Sequence, residues 1–315
     1  MSVIDKILQN KKTAFSFELL PPLKGNTIES VYKTIDVLRE FDPKYINITT
    51  HRSELVYRKL PNGLFDCVAE RHRPGTVAIS AAIQNKYNIP VVPHVLCSGF
   101  TENETEYVLI DLQFLGIQDL LLLRGDKAKN EKSFTPTGHN HATDLQKQVN
   151  NFNEGNFADG TKMKKLPVPF SYGMACYPEK HEEAPNMASD IYWAKQKVEN
   201  GASYLVTQMF FDNQKYFDFV DTCRKEGITV PIIPGLKPIV FMNQLTVLPK
   251  IFHVDIPETF SKELEKCKTD VEAAEVGIEW CTLQAKELKD KGVPSIHFYS
   301  MMATQSVRKV AENIY

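Results

Sequence analysis

The chain has 315 residues, of which 43% are hydrophobic and 24% charged, and its formal net charge is −2. That composition is ordinary for a globular protein, and the near-neutral balance excludes a global basic field for nucleic acid. No uninterrupted apolar run is long enough to span a bilayer.

The N-terminal stretch MSVIDKILQNKK places Asp5 among apolar residues and lacks a small-residue cleavage site, so it reads as a short amphipathic helix and not a signal peptide. The six cysteines are scattered with no C-x-x-C pair, which points to reduced thiols in the cytosol. His94 and Cys97 have the look of half a metal site, but no second half with ligand spacing follows, and no metal is expected.

In chain order, β-type runs alternate with helical segments. Ala14 to Leu20 (AFSFELL) is the first strand, ended by Pro21-Pro22; Asn26 or Thr27 caps a helix to about Phe41. Tyr45 to Thr49 is the second strand. Phe65 to Glu70 and Val77 to Tyr87 read as helix, and Val91 to Cys97 as the third strand. Thr101, with Glu104 three residues on, is a capping box for the next helix. Leu120 to Gly125 is the fourth strand. Ala142 to about Val149 is helical, and Asn150 to Lys165, rich in Asn, Gly and Lys, is an exposed excursion.

Pro169 to Pro178 contains the fifth strand, followed by a helix from about Asn186 to Glu199 that stops at Gly201. Ser203 to Phe211 is the sixth strand. Asp212 or Asn213 caps a helix to Lys225, closed by Gly227. Val230 to Ile239 is the seventh strand. A long helical region follows, broken near Pro257, resuming at Thr269 or Asp270 and ending before Gly292. Ser295 to Met302 is the eighth strand, and Gln305 to Asn313 the last helix.

Eight β–α units of this kind, with no G-x-G-x-x-G after any strand, predict a single (β/α)8 TIM-type barrel with an extra N-terminal helix, residues 1–315 forming one domain. In such a barrel the chemistry lies at the C-terminal strand ends. Those positions carry Glu18, Thr49, His94, Arg124 with Asp126, Tyr177 with His181, Gln208, Lys237 and Tyr299.

The most abrupt of these ends is LLLLRGD, Leu120 to Asp126, a buried-strand run that stops in a cation, a glycine and a carboxylate. Asp126 is either an ion-pair or capping residue or a carboxylate facing a ligand, with Gly125 allowing close approach to the backbone. Glu18, set among Phe17, Leu19, Leu20 and two prolines, is either a capping or salt-bridged residue or a carboxyl desolvated toward its neutral form and able to donate a proton. His94 is a hydrogen-bonded core histidine or a catalyst. Gln208 must find hydrogen-bond partners on a buried strand, and a ligand is one source of them.

Taken together, FELLPP (17–22), NIT (47–49), PHVLC (93–97), LLRGD (122–126), ATDL (142–145), ACYPEKHEEA (175–184), DIYWAKQKVENGA (190–202), TQMFFD (207–212), IPGLKPI (233–239) and HFYS (297–300) run collinear with one family. The chain resembles methylenetetrahydrofolate reductase in its short bacterial-type form, the catalytic barrel only.

The resemblance implies a ping-pong reaction on one FAD: NADH or NADPH reduces the flavin and leaves, and methylenetetrahydrofolate then takes the hydride to become methyltetrahydrofolate, in one-carbon metabolism and methionine biosynthesis. It makes Glu18 the general acid that opens the folate to an iminium. It sets Asp126 near pterin and flavin, where negative charge favours a cationic intermediate. Gln208 and Tyr299 join Glu18 and Asp126 on the substrate side. For FAD it implies Thr49, His94, Leu123, Arg124, Gly125, Asp126, Ala142, Asp144, Tyr177, His181, Ala184, Asp190 and Lys197. It further implies a cytoplasmic homo-oligomer with small-molecule substrates, no nucleic acid and no membrane.

Two positions depart from the family pattern. HFYS is followed by Met301-Met302-Ala303 where the family usually has Leu-Asn-Arg, so a folate-contacting arginine is absent at Ala303, and Met242 stands where a Phe is usual. Lys237 is the expected replacement cation for the folate tail. The competing readings are another FAD barrel oxidoreductase of proline-dehydrogenase type, which would not need Glu18 and Gln208 together, and a folate- or flavin-binding subunit that is non-catalytic or fed by a partner.

Overall fold

The computed structural model describes residues 2–10, 12–126, 137–301 and 303–315. Its fold class is α/β, a TIM-type barrel of parallel strands with helices between them. The chain divides into two compact units: residues 1–19, 33–47 and 171–315, and residues 20–32 and 48–170.

The first unit opens with helix α1 (Val3–Gln9), the extra N-terminal helix expected from sequence. Ser2 caps it, its hydroxyl accepting from Asp5 N while the Asp5 carboxylate accepts from Ser2 N. Strand β1 (Ala14–Leu19) is buried along its whole length. Strand β2 is Tyr45–Ile48, β7 Ser171–Cys176, β8 Tyr204–Thr207, β9 Ile232–Ile233, β10 Gly235–Leu236 and β11 Ser295–Phe298. They pair in parallel, β1 with β11, β11 with β10, β7 with β8 and β8 with β9. The expected seventh strand is thus two short pieces, because Pro234 has no N–H to give a ladder and interrupts it.

The helices of this unit begin and end on the residues that local chemistry selects. Asn186 caps α6 (Met187–Glu199), Asp212 caps α7 (Asn213–Lys225) and Thr269 caps α10 (Asp270–Asp290). Gly201, Gly227 and Gly292 follow α6, α7 and α10 with φ of +109°, +84° and +76°, the left-handed conformation that a β-carbon disfavours. The region after β10 holds α8 (Gln244–Phe252) and α9 (Glu258–Lys266), and the chain closes with α11 (Thr304–Glu312). The helix expected to reach Phe41 ends at Leu38 as α2 (Glu29–Leu38) and tightens into a 3-10 turn over Arg39–Phe41. Strand β11 stops at Phe298; of its expected extension, Met302 lies outside the described residues.

In the second unit β5 (Val91–Leu96) pairs in parallel with β6 (Asp119–Leu123). The helices are α3 (Thr76–Tyr87), α4 (Glu102–Phe114) and α5 (Ala142–Asn153). The Thr101–Glu104 capping box forms as expected, Glu104 N donating to Thr101 Oγ1 at 3.1 Å and Thr101 N to the Glu104 carboxylate at 2.8 Å. The excursion read from Asn150 begins later, since α5 continues to Asn153 before Gly155 turns the chain.

One element corrects the sequence reading. Phe65–Glu70 is not a helix but strand β4, antiparallel to β3 (Glu54–Lys59) in register from Glu54↔Glu70 to Lys59↔Phe65. Asn62-Gly63 makes the turn, with Gly63 at φ +83°, a hairpin signal that outweighs the weak helical spacing of so short a run. Alternation puts Leu55, Tyr57, Phe65 and Cys67 on one exposed face, while Glu70 on the other face takes ion pairs from Arg58 and Lys24.

Candidate active site

In the first unit the side chains of Ser16 and Glu18 leave β1 on the same face. Ser16 Oγ lies 3.1 Å from His297 Nδ1, and the Tyr45 ring stacks on the His297 ring at 6.1 Å and 4°. Burial pushes the His297 imidazole down to about 3, so it is neutral. One layer further along, Glu18 is 6% exposed and Lys237 4% exposed. Phe298 is paired with Phe17 on one side and Leu236 on the other. The next residues, Glu18, Tyr299 and Lys237, therefore form a row across three neighbouring strands.

Tyr299 is anchored within that row. Its N–H donates to Leu236 O at 2.9 Å and its hydroxyl to Thr207 O at 2.6 Å. Burial, with the Glu18 charge second, holds that hydroxyl well above the usual phenol range, so it stays a proton-bearing donor. Lys237 is shifted the other way, because burial disfavours its ammonium while the Glu18 carboxylate favours it. Lys237 is thus an interior residue in the same row as Glu18, not a cation held out to solvent. Gln208, just past β8, donates from its backbone to Cys176 O at 2.9 Å and accepts at Oε1 from Met209 N at 2.9 Å.

A second cluster of this unit is built by the loop after β7. His181 N donates to Asp190 Oδ2 at 2.5 Å, and the Tyr177 and His181 rings meet edge to face at 4.7 Å. Glu183 N donates to His181 Nδ1 at 3.1 Å, so a neutral His181 carries its proton on Nε2. Lys180, at φ +80°, donates through Nζ to His181 O and to Ala184 O at 2.7 Å. Lys197 donates to Ala175 O at 2.8 Å, and burial pulls its amine below the usual lysine range.

In the second unit the residues after β2, β5 and β6 are tied together. Thr49 Oγ1 is 3.2 Å from His51 Nε2, and Thr50 Oγ1 donates to His94 O at 2.5 Å. Ser98 N donates to Arg124 O at 2.8 Å and Ser98 Oγ to Asp126 O at 3.2 Å; Arg52 donates to Ser98 Oγ at 3.0 Å. Gly125, which follows Leu123 and Arg124, has φ +86°, and an added β-carbon would sit 3.1 Å from Ser98 Cβ. Asp126 is exposed. Its charge raises the His51 imidazole, against the larger lowering by burial and by Arg73.

Of the residues expected at the site, Glu18 and Tyr299 share one row, with Gln208 on the chain beside Thr207. Tyr177, His181, Ala184, Asp190 and Lys197 share one loop and helix. Thr49, His94 and Leu123 to Asp126 share one set of strand ends. Asp144, by contrast, is engaged at the start of α5, which begins at Ala142: its carboxylate accepts from His141 N at 3.2 Å and from Lys147 Nζ at 3.2 Å. Sequence reasoning missed His51, Arg52 and Ser98; the run Thr49-Thr50-His51-Arg52 directly after a buried strand was the available signal.

The two departures are also placed. Ala303 is 3% exposed at the start of α11, a buried methyl position, and Met242 is 39% exposed with its N–H donating to Asp270 Oδ1 at 2.8 Å. Cys97, the suspected metal half-site, donates its thiol to Arg124 O at 3.4 Å, and burial pushes that thiol up to about 11. Among the described residues no group of His, Cys, Asp and Glu gathers as a metal centre.

An α/β barrel with a buried carboxyl in a row of polar strand-end residues has the organisation of a barrel enzyme. The chain belongs to the methylenetetrahydrofolate reductase family, whose profile matches residues 3–315. It is 27% identical over 313 residues to a probable methylenetetrahydrofolate reductase (NADPH) of Caenorhabditis elegans, covering 99% of this chain and 43% of that protein. It is 28% identical to methylenetetrahydrofolate reductase (NADH) 1 of Arabidopsis thaliana, covering 100% of this chain and 51% of the relative. The chain thus spans about half the length of these relatives. With the 5,10-methylenetetrahydrofolate reductase of Salmonella typhimurium it shares 29% identity over 91% of this chain and 85% of that protein. In fold it is similar to an uncharacterized protein from Clostridium thermocellum that binds two copies of 5-methyl-5,6,7,8-tetrahydrofolic acid (TM-score 0.58, 16% identity, 99% of this chain and 98% of the other).

Proposed function

We propose that this chain reduces 5,10-methylenetetrahydrofolate to 5-methyltetrahydrofolate, with FAD as the resident cofactor and NADH or NADPH as donor, in a ping-pong hydride transfer. Residues 1–315 act as one catalytic barrel domain. The observation that carries the reading is the family match over residues 3–315 together with a Glu18 buried to 6% in the row it shares with Tyr299 and Lys237.

The residues fit the cofactor in donor chemistry. The loop from Tyr177 to Asp190 offers an imidazole N–H, a ring pair and a carboxylate. These groups suit phosphate, an aromatic base and ribose hydroxyls. The proposed flavin set is Thr49, His94, Leu123, Arg124, Gly125, Asp126, Ala142, Asp144, Tyr177, His181, Ala184, Asp190 and Lys197. When bound, FAD supplies a two-electron carrier that accepts a hydride from the nicotinamide and returns it to the folate carbon.

Glu18 protonates the nitrogen that leaves the methylene bridge; the carbon–nitrogen bond breaks toward that nitrogen and an iminium remains. Asp126 contributes negative charge that favours the cationic iminium. Gln208 offers its amide to the pterin or nicotinamide amide, and Tyr299 its ring. Relatives named for NADH and for NADPH are both similar to this chain, and either donor is consistent with the reading.

In this reading the protein works as a cytoplasmic homo-oligomer, and its six free cysteines suit a reducing compartment. Among the described residues no helix is long and apolar enough to cross a membrane.

The test is a pair of anaerobic half-reactions on purified protein reconstituted with FAD. Bleaching of the flavin by NADH or NADPH and its recovery on adding methylenetetrahydrofolate are the expected results. Protein that never retains FAD overturns the flavin reading. Bleaching without folate-dependent recovery overturns the folate reading and leaves the proline-dehydrogenase-type alternative. Retained FAD that neither nucleotide reduces points to the partner-fed alternative.

A further inference from the structure

We propose that Glu179 is the positioning residue of the loop after β7: its carboxylate ties that loop to α7 and to the segment between α8 and α9, and the tie sets how long FAD stays bound. The inference rests on the reading of this loop as part of the flavin site.

The loop runs from Tyr177 to the start of α6 at Met187 and carries Tyr177, His181 and Ala184 of the proposed flavin set. Lys180 Nζ donates to His181 O and Ala184 O, and His181 N to Asp190, bonds that stay within the loop and α6. Two of its glutamates reach other elements. Glu179 Oε1 accepts from Lys215 Nζ at 2.5 Å, and Asp255 N donates to the same carboxylate, 3.3 Å from each oxygen. Lys215 Nζ also donates to the Asp255 carboxylate. Three residues on, Glu182 Oε2 lies 2.8 Å from His253 Nε2. The loop is therefore joined at two points to residues 253–255.

The far side of the tie is anchored. His253 closes α8 at φ +53°, its N–H donating to Pro249 O at 3.0 Å. Val254, between the two contact residues, is buried in a core cluster with Met209, Phe211 and Phe260. Lys215 stands in the first turn of α7, which Asp212 caps. A loop pinned to anchored elements has lost conformational freedom before the cofactor arrives, so binding pays less for ordering it.

Burial gives the Glu179 contact its weight. Its side chain is 7% exposed, against 34% for Lys215. Burial raises the Glu179 carboxyl, and the Lys215 contact works the other way. Without Lys215 the carboxylate is a buried charge short of its cation, and the direct relief is for the loop to lift and admit water. The next residue, Lys180, sits at φ +80°, a conformation that L-residues rarely adopt and that persists only where surrounding contacts hold it. Glu179 supplies such contacts from the adjacent position.

The experiment measures FAD release from reconstituted protein by the rise in flavin fluorescence after dilution, alongside the Tm of the apoprotein. The variants are Glu179→Ala, Lys215→Met and Lys215→Arg, with His181→Ala as the control inside the loop. We expect release about 10-fold faster in Glu179→Ala and Lys215→Met, the worth of one charge-assisted hydrogen bond. Lys215→Arg, which keeps the cation, should release FAD at close to the wild-type rate, and the apoprotein Tm should change little in all three. Lys215→Gln replaces the Met variant if that does not fold.

Release at the wild-type rate in a folded Glu179→Ala or Lys215→Met variant overturns the proposal, while faster release from His181→Ala leaves the loop as the flavin site. A fall in apoprotein Tm in step with faster release also overturns it, because the contact then stabilises the fold at large. FAD held by His181→Ala as long as by wild type overturns the reading of the loop itself, and the two failures are distinct.

Discussion

The ring of Tyr299 packs against the α-carbon of Gly235 so closely that an added β-carbon would lie 2.5 Å from Cε2 and 2.6 Å from Thr207 O. Only a residue without a side chain lets Tyr299 reach the Thr207 carbonyl. We expect Gly235→Ala to displace the ring and destabilise the fold by about 1–3 kcal/mol, the usual range for overpacking. Urea unfolding monitored by far-UV circular dichroism measures it. A variant as stable as wild type would contradict the close approach.

Replacing Glu18 with Gln keeps the size of the side chain and removes the transferable proton. The expected result is a folate half-reaction slower by about 10²- to 10⁴-fold, the range typical of a positioned general acid, with nicotinamide-driven bleaching of the flavin much less affected. Stopped-flow absorbance under anaerobic conditions separates the two. Equal losses in both halves would remove Glu18 from the acid role.

Gly277, within α10, lies against the segment after β10, and a β-carbon there would fall 2.0 Å from Ile239 O. The obstacle is backbone, which cannot rotate away as a side-chain tip can. Gly277→Ala is expected to cost about 3 kcal/mol or more, beyond the Gly-to-Ala gain of up to about 1 kcal/mol in helix propensity. Thermal unfolding checks this, and an unchanged or higher Tm would show that α10 moves freely.

His297 makes stability depend on pH. Its folded-state value is about 3 against an ordinary 6.5, because burial disfavours the charged ring. The unfolded chain therefore binds the extra proton first, and the stability that a neutral His297 permits is complete above pH 6.5 and is lost as pH falls toward 3. Within that window the slope is at most about 1.4 kcal/mol per pH unit. His297→Gln, which cannot titrate, should flatten the unfolding free energy between pH 6 and 4 relative to wild type. Parallel curves for the two proteins would assign the acid sensitivity to other groups.

The parts of this molecule legible in the sequence are those set by neighbours along the chain. Caps such as Thr101 with Glu104 and stops such as Gly227 act over a few residues, so composition and spacing reveal them. The helix expected at Phe65 to Glu70 shows the limit: six residues carry too little periodicity to outweigh an Asn62-Gly63 turn, and the segment pairs with β3 instead. The candidate site residues were legible as polar groups interrupting apolar strands, since burial makes such interruptions costly unless they serve a partner or a ligand.

Sequence by itself determined most of the strand and helix series, though not the β3–β4 hairpin, together with the barrel class and the polar residues at the strand ends, because these follow from local periodicity and capping. Only the tertiary structure decided that Lys237 shares a buried row with Glu18 and that Gly235 makes room for Tyr299. The physical reason is distance along the chain: Ser300 and Glu18, joined by a hydrogen bond, are 282 residues apart. Strand register pairs such residues by burying whole faces together, and no local signal encodes which of them will meet.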